Sequence, residues 1–261
     1  MSSAVSGRTL LTLLLAAAFG WSLAAVDWRA GVVNDQGLPA FAEFLVAALQ
    51  PDLRPSFVGR VIGALWQTVA YAVAGMTVAI VIGGILGPVA SGALARRRVM
   101  RWAQVTGARA LLGFFRAIHE LVWAWLFIAA LGLSPLAGVL ALGVPYGGIL
   151  GLIYAQHLAD VPAAPLRALQ TTGARPWQVF FYGRLPLALP DLVSYTLYRF
   201  ECGLRAAAVF SFVGLGGLGA EIQLSLSELN YREVWTLLIT VIALILFVDW
   251  WSGEVRRRMT T

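Results

Sequence analysis

Apolar residues run through this chain in long blocks, interrupted by short polar stretches, and not at the spacing of an amphipathic surface helix. A helix needs about 20 mostly apolar residues to cross the hydrocarbon of a bilayer. Six blocks meet that demand: 10–26, 58–89, 118–133, 136–154, 192–213 and 234–251. The third and fourth are separated only by Ser134 and Pro135, which predicts a tight helical hairpin. A shorter apolar stretch at 39–49 cannot cross and predicts a helix lying at the interface or packed on the bundle. The pattern therefore predicts an all-α membrane protein with six transmembrane helices. It divides into an N-terminal span with an outer interfacial segment (1–56), a core transmembrane domain (57–255) and a basic cytoplasmic tail (256–261).

Composition agrees, since 59% of the 261 residues are hydrophobic and only 12% charged, too few charges to cover a water-soluble body of this size. Every basic residue is Arg, and the absence of lysine excludes a Walker A loop and a lysine Schiff base. Two His and one Cys leave no set for a protein-only zinc site or a disulfide. The net charge of +6 is explained by where the arginines lie. Arg8, Arg96, Arg97, Arg98, Arg101, Arg109, Arg116, Arg167, Arg175, Arg184, Arg256, Arg257 and Arg258 fall on one side of the predicted spans, against Arg29, Arg54, Arg60 and Arg232 on the other. The positive-inside rule then puts both termini in the cytoplasm, with contacts to anionic lipid and none to nucleic acid. Asp27, Asp35, Glu43, Asp52, Glu221, Glu228 and Glu233 make the outer face acidic. The first block also has a small-residue site near Ala24 and Ala25, the alternative being a cleaved signal peptide.

The cytoplasmic stretch 156–190 is too polar to span and too patterned for a random connection. It predicts two short helices broken at Gly173, the first entered through Pro162, the second through Arg175-Pro176-Trp177 with Val179, Phe180 and Leu185 as apolar contacts. A protruding helix-turn-helix has the right shape to dock in a groove of another protein. Arg167-Ala168-Leu169, Gly173-Ala174-Arg175 and Leu185-Pro186 fall in the register of a pattern: Glu-Ala-Ala, three residues, Gly, nine residues, an aliphatic residue, one residue, Leu-Pro. On these residues the chain resembles the permease subunits of binding-protein-dependent ABC importers, with Arg167 where the pattern has Glu and Gly183 where it has an aliphatic residue. The Ser194-to-Glu201 run Ser-Tyr-Thr-Leu-Tyr-Arg-Phe-Glu, with Arg205, the glycine-rich end of that span and Arg116-Ala-Ile-His-Glu-Leu-Val-Trp-Ala124, is similar to the phosphonate-type permeases. Many of these carry a polar His-Thr pair where this chain has Pro145-Tyr146.

The resemblance implies a type I importer bundle in the bacterial inner membrane whose loop is a coupling helix for a separate ATPase. It also implies an extracytoplasmic binding protein, a second permease copy in a homodimer, and ATP with Mg held by the ATPase and no cofactor in this chain. The cargo it implies is phosphonate or a related oxyanion, phosphite or phosphate.

Arg199, Glu201 and Arg205 lie inside the fifth block, where an uncompensated charge costs roughly 2.5–3.5 kcal/mol on insertion scales. Tyr198, Glu201 and Arg205 share a helix face, and Glu201 precedes Arg205 by four, the favourable order for a pair within the helix. Tyr198, Arg199, Glu201 and Arg205 either line the translocation path, where guanidinium forks hold oxyanions, or form a structural ion pair. His119, Glu120 and Arg116 read as an interfacial cluster or a proton relay. Gly143, Gly147 and Gly151 recur every four residues and predict close approach of another helix, with Pro145 as a bend. Gly214, Gly216, Gly217 and Gly219 match a dinucleotide fingerprint, but follow a membrane span with no preceding strand; in the family such a turn lies near the docking surface for the binding protein. Two other readings stay open at this point: a membrane-embedded enzyme acting on phospho-compounds, for which His119 with Glu120 and His157 with Asp160 are the available groups, and a proton-coupled secondary transporter.

Overall fold

Backbone in hydrocarbon must satisfy its N–H and C=O groups within its own segment, so each apolar block folds as a helix. The computed structural model describes residues 7–26, 37–94, 98–210 and 214–260, and every regular element among them is helical. Asp27, Arg29, Asp35, Arg96 and Arg97, named above, and the last residues of block 192–213, 211–213, lie outside the described residues.

Two compact units divide the chain, 1–49 and 50–261. The first holds α1 (Gly7–Ala25), long and apolar enough to cross a membrane, and the short apolar α2 (Gly37–Ala47), where the pattern predicts a non-crossing helix. The second runs α3 (Pro55–Ser91), α4 (Arg98–Ala117), α5 (Glu120–Leu131), α6 (Pro135–Asp160), α7 (Ala163–Thr171), α8 (Pro176–Val179), a π-helical segment (Phe180–Arg184), α9 (Leu185–Phe210), α10 (Leu218–Ser227) and α11 (Tyr231–Thr260).

By length and composition α1, α3, α6 and α11 qualify as spans, and α4 with α5 makes a fifth if the bent pair is taken together. Two of the six predicted blocks come out differently. Block 118–133 yields only the 12-residue α5, about 18 Å long and too short for the hydrocarbon by itself. It is preceded by α4, an amphipathic helix that the arginines at 98, 101, 109 and 116 disguise as a polar connection, and the two axes meet at 90°. Across that elbow the Trp123 indole N–H donates to the Phe115 carbonyl at 3.1 Å, while the Trp123 ring stacks on Phe127. Block 192–213 lies mostly within α9, which is long enough at 26 residues but carries four charges, Asp191, Arg199, Glu201 and Arg205. The predicted α5–α6 hairpin forms: Gly132 turns the chain at φ +75°, and Ser134 caps α6 by accepting from the Ala137 N–H at 3.3 Å. Helix α11 continues through residues 256–260.

The most extensive contact is between α3 and α6. Hydrocarbon offers no hydrophobic drive for helices to associate, so close packing over small residues must supply the attraction. A β-carbon at Gly75 would come within 2.7 Å of Leu142, one at Gly83 within 3.0 Å of Leu150, and one at Gly87 within 2.9 Å of Tyr154. In return Gly143 receives Val78 at 2.7 Å and Gly147 receives Ile82 at 2.8 Å. The contacts ascend together along both helices, so α3 and α6 run parallel, and the chain between them must return to the face where α3 began. The third glycine of the row, Gly151, receives Leu112 of α4, and beside it Gly148 lies against the α4 backbone, where a β-carbon would be 2.6 Å from the Leu112 carbonyl oxygen. Gly148→Ala must therefore push α4 away, at a cost of about 1–3 kcal/mol. Gly84→Ala, which meets nothing within 4 Å, should be neutral. Thermal unfolding of the two variants in detergent checks this, and equal midpoints would contradict the packing described.

Candidate functional site

The candidate site starts on α9, whose Arg199, Glu201 and Arg205, inside the apolar block, cannot face lipid. The pair expected within the helix, Glu201 with Arg205, does not form. Glu201 is 5% exposed and turns to α11, where the Arg256 guanidinium pairs with it at 3.0 Å and the Ser252 hydroxyl donates to the same oxygen. A helical neighbour four residues on is only one available partner, and α11 packs directly on this side of α9. Arg256, counted among the topology-setting arginines, thus neutralises a buried carboxylate.

Arg199 is treated differently. Its Nε and Nη2 donate to the Tyr195 hydroxyl at 3.0 and 2.9 Å, and its guanidinium carbon lies 5.4 Å from the Tyr195 ring centre and 5.6 Å from that of Tyr198. The partners are neutral, so the fork is oriented while its charge stays uncompensated. Arg205 is exposed and makes no ion pair with any described residue, and Tyr198 is 46% exposed. The four expected path residues therefore share α9 but divide: Glu201 is consumed by structure, while Tyr198, Arg199 and Arg205 are available to a ligand. The phenol of Tyr146 on α6, buried at 5%, sits within electrostatic reach of Glu120, Arg199 and Arg205. Sequence reading notes Tyr146 only as a departure; its spatial link to α9 has no marker in the chain. His119 caps α5 by accepting from the Leu121 N–H, with Glu120 3.8 Å away, at the α4–α5 elbow. Among the described residues no three His, Cys, Asp or Glu side chains gather as a metal-binding group.

The loop after α6 folds as two short helices. Pro162 precedes α7, Gly173 takes φ +83° between the helices, and the Arg175 N–H donates to Gln178 Oε1 at 2.7 Å to open α8. Leu166, Val179 and Phe180 are buried, while Arg167, Ala168, Gly173, Arg175, Trp177 and Pro186 face outward and Leu169, Ala174 and Leu185 are half-buried. Gly183 has a structural reason: a β-carbon there would strike Leu169 at 2.7 Å and Leu166 at 3.1 Å, so α7 occupies the space an aliphatic side chain would take.

Beside the first half of α3, Gly214, Gly216 and Gly217 adopt φ of +86°, +82° and +88°, values that favour glycine. Gly219 differs, being buried within the first turn of α10. No strand precedes the turn among the described residues, in keeping with the rejection of a dinucleotide loop. It is held instead by three side chains of α3 that sequence reading missed. The Tyr71 hydroxyl donates to the Leu215 carbonyl at 2.9 Å, Gln67 accepts from the Gly217 N–H at 3.1 Å, and Thr68 accepts from the Leu218 N–H at 2.9 Å. The signal in the sequence is a polar trio, Gln67, Thr68 and Tyr71, clustered in a mostly apolar helix. Nearby, buried Glu233 receives Arg54 at 2.9 Å and the Ser225 hydroxyl at 3.1 Å, and Arg60 lies 3.5 Å from Glu221. Hydrogen bonds from Arg54 hold the Asp52 carboxyl below its ordinary pKa, so this end is a neutralised ionic cluster.

Comparisons with known proteins agree with this architecture. The chain is 34% identical over 248 residues to the phosphite transport system permease protein PtxC of Stutzerimonas stutzeri, covering 93% of this chain and 87% of that one. It is 30% identical over 193 residues to the phosphate-import permease protein PhnE of Mycolicibacterium smegmatis, covering 74% of this chain and 36% of that one. In structure it matches an inward-facing conformation of the MetNI methionine ABC transporter at a TM-score of 0.71 and 20% identity, covering 80% of this chain and all of the other. Residues 79–261 match the family described as binding-protein-dependent transport system inner membrane component. A glycine-locked helical bundle with a protruding two-helix loop and no enzymatic constellation among its described residues is thus accounted for: the chain belongs to the family of inner membrane components of binding-protein-dependent transport systems.

Proposed function

We propose that this chain forms half of the translocation path of an ATP-driven importer for phosphite, phosphonate or phosphate. The observation that carries the reading is the pair Arg199 and Arg205, left without carboxylate partners on a helix that enters the membrane, one of them pre-oriented by Tyr195 and Tyr198. Charge-assisted donors of this kind meet an oxyanion's oxygens without binding it as tightly as a closed site would, which suits a path more than a reservoir. The relatives, a phosphite transport permease and a phosphate-import permease, support the same cargo class.

In this reading α1, α3, the α4–α5 pair, α6, α9 and α11 make six crossings with both termini in the cytoplasm. The parallel run of α3 and α6 supports it, because it requires the α4–α5 pair to count as one return. Two copies of the chain face each other across the path. Arg167, Ala168, Leu169, Gly173, Ala174, Arg175, Leu185 and Pro186 form the coupling surface for the ATPase, which binds ATP and Mg. The turn at Gly214, Gly216 and Gly217, with Gly219 behind it, forms part of the docking face for the binding protein. ATPase closure would draw the two loops together and bias the bundle toward the outward-open arrangement.

Uptake and assembly separate the roles on α9. Arg205→Ala should abolish phosphite or phosphonate uptake and leave the assembled complex at normal levels, because exposed Arg205 supports no described contact. Arg256→Ala, by contrast, strands the Glu201 carboxylate and should destabilise the protein by roughly 3–5 kcal/mol, read as lost assembly. If Arg205→Ala also lost assembly, Arg205 would belong to packing. For the loop, Gly173→Val forces a β-branched residue to positive φ at about 1–2 kcal/mol or more. Co-purification with the ATPase should fall while membrane insertion is unchanged; undiminished recovery of the ATPase would remove the coupling role.

A further inference from the structure

Where the end of α3, the start of α4 and the α7–α8 loop converge, they enclose a cavity of about 370 Å³ lined by Ser91, Gly92, Arg101, Gln170, Phe180 and Arg184 among others. Two guanidiniums reach it and no Asp or Glu lines it. Arg184 is half-buried and donates to the Leu158 carbonyl at the end of α6, a contact that uses one of five guanidinium N–H groups. Arg101 forms no ion pair with any described residue and lies over Gly92, whose φ is +70° and where a β-carbon would come within 2.8 Å of Arg101 Nε. The exposed Arg101 side chain thus packs over the Gly92 turn where it borders the cavity. Burial pushes the pKa of Arg184 down, and repulsion from Arg101 adds to that, the behaviour of two cations with no anion between them.

We infer that this cavity is a binding site for a phosphate-class oxyanion, held between Arg101 and Arg184 with Ser91 and Gln170 beside them. Paired forks on a dianion give the bidentate recognition for which arginine is suited. The site is distinct from the path on α9: it is built from α3, α4 and the loop, and an anion there would tie the loop to the bundle. Its ligand is either free oxyanion from the cytoplasm or the headgroup of an anionic phospholipid, and it does not depend on which solute is transported.

The test uses the full chain in nanodiscs of phosphatidylcholine with radiolabelled inorganic phosphate, and in parallel nanodiscs containing phosphatidylglycerol read by native mass spectrometry. Saturable phosphate binding that weakens about tenfold or more in Arg101→Gln and is lost in Arg101→Glu assigns the free anion. Retained phosphatidylglycerol, lost in the same variants, assigns the headgroup. Arg101→Glu places a carboxylate opposite Arg184 and should keep the fold, checked by an unchanged unfolding midpoint; Arg184→Gln is the second variant should Arg101→Glu fail to fold. Absence of both ligands from the wild-type chain, or equal binding by Arg101→Glu and wild type, overturns the inference. So does a result in which neither probe binds and Arg101→Glu instead blocks co-purification with the ATPase, since a protein carboxylate would then be the occupant.

Discussion

Everything in the larger unit depends on how closely α3 and α6 approach. In lipid, two helices gain little by hiding apolar surface from one another, and contact must come from dispersion at short range. Reciprocal holes achieve this: Leu142, Leu150 and Tyr154 enter over glycines of α3, and Val78 and Ile82 enter over glycines of α6. The same α6 surface continues to Gly148 and Gly151, where α4 is received. Because the pair is parallel, the chain between must double back, and the elbow between α4 and α5 follows from that demand. The bundle's connectivity is in this sense set by a row of missing side chains.

Against that apolar frame the charges are few and sorted by partner. Glu201 is fully answered by Arg256 and Ser252, Glu233 by Arg54 and Ser225, so these carboxylates fasten helices that share no glycine row. Arg199 is answered by phenols, which fix its direction and leave its charge. The distinction matters energetically. A guanidinium paired with carboxylate would have to break that pair to meet a passing anion, whereas one held by the Tyr195 hydroxyl and two aromatic rings has nothing of equal strength to give up.

Local chemistry was legible and tertiary partnership was not. The helices on the apolar blocks, the proline-entered α7, the left-handed Gly173 and the hairpin at Ser134 and Pro135 follow from patterns within a few residues, and the chain displays them. The spacing of Gly143, Gly147 and Gly151 announces a close neighbour without saying that it is α3 for two of them and α4 for the third. Helix α4 was hidden because its arginines at 98, 101, 109 and 116 lower its mean hydropathy, although Ala108 and Leu112, four apart, mark the buried stripe. Glu201 was assigned to Arg205 because spacing rules see one helix at a time, and the contact fifty-five residues away obeys no spacing. The polar trio on α3 was passed over for a similar reason, since its partners are backbone atoms of a turn about 150 residues on.

Helix α3 is 37 residues without a break, about 55 Å of continuous rod. In its first half it grips the glycine turn through Gln67, Thr68 and Tyr71, and just past its C-terminal end Gly92 forms a wall of the cavity beside the loop. A rod gripped at two distant points behaves as an axle: a few degrees of roll about its long axis displace the attachments at both ends together, with no relay of small side-chain shifts between them. The glycine holes that lock α6 to the rod make that helix roll with it, so the axle and its companion turn as one piece and the slack must be taken up where α9 and α11 lean against them.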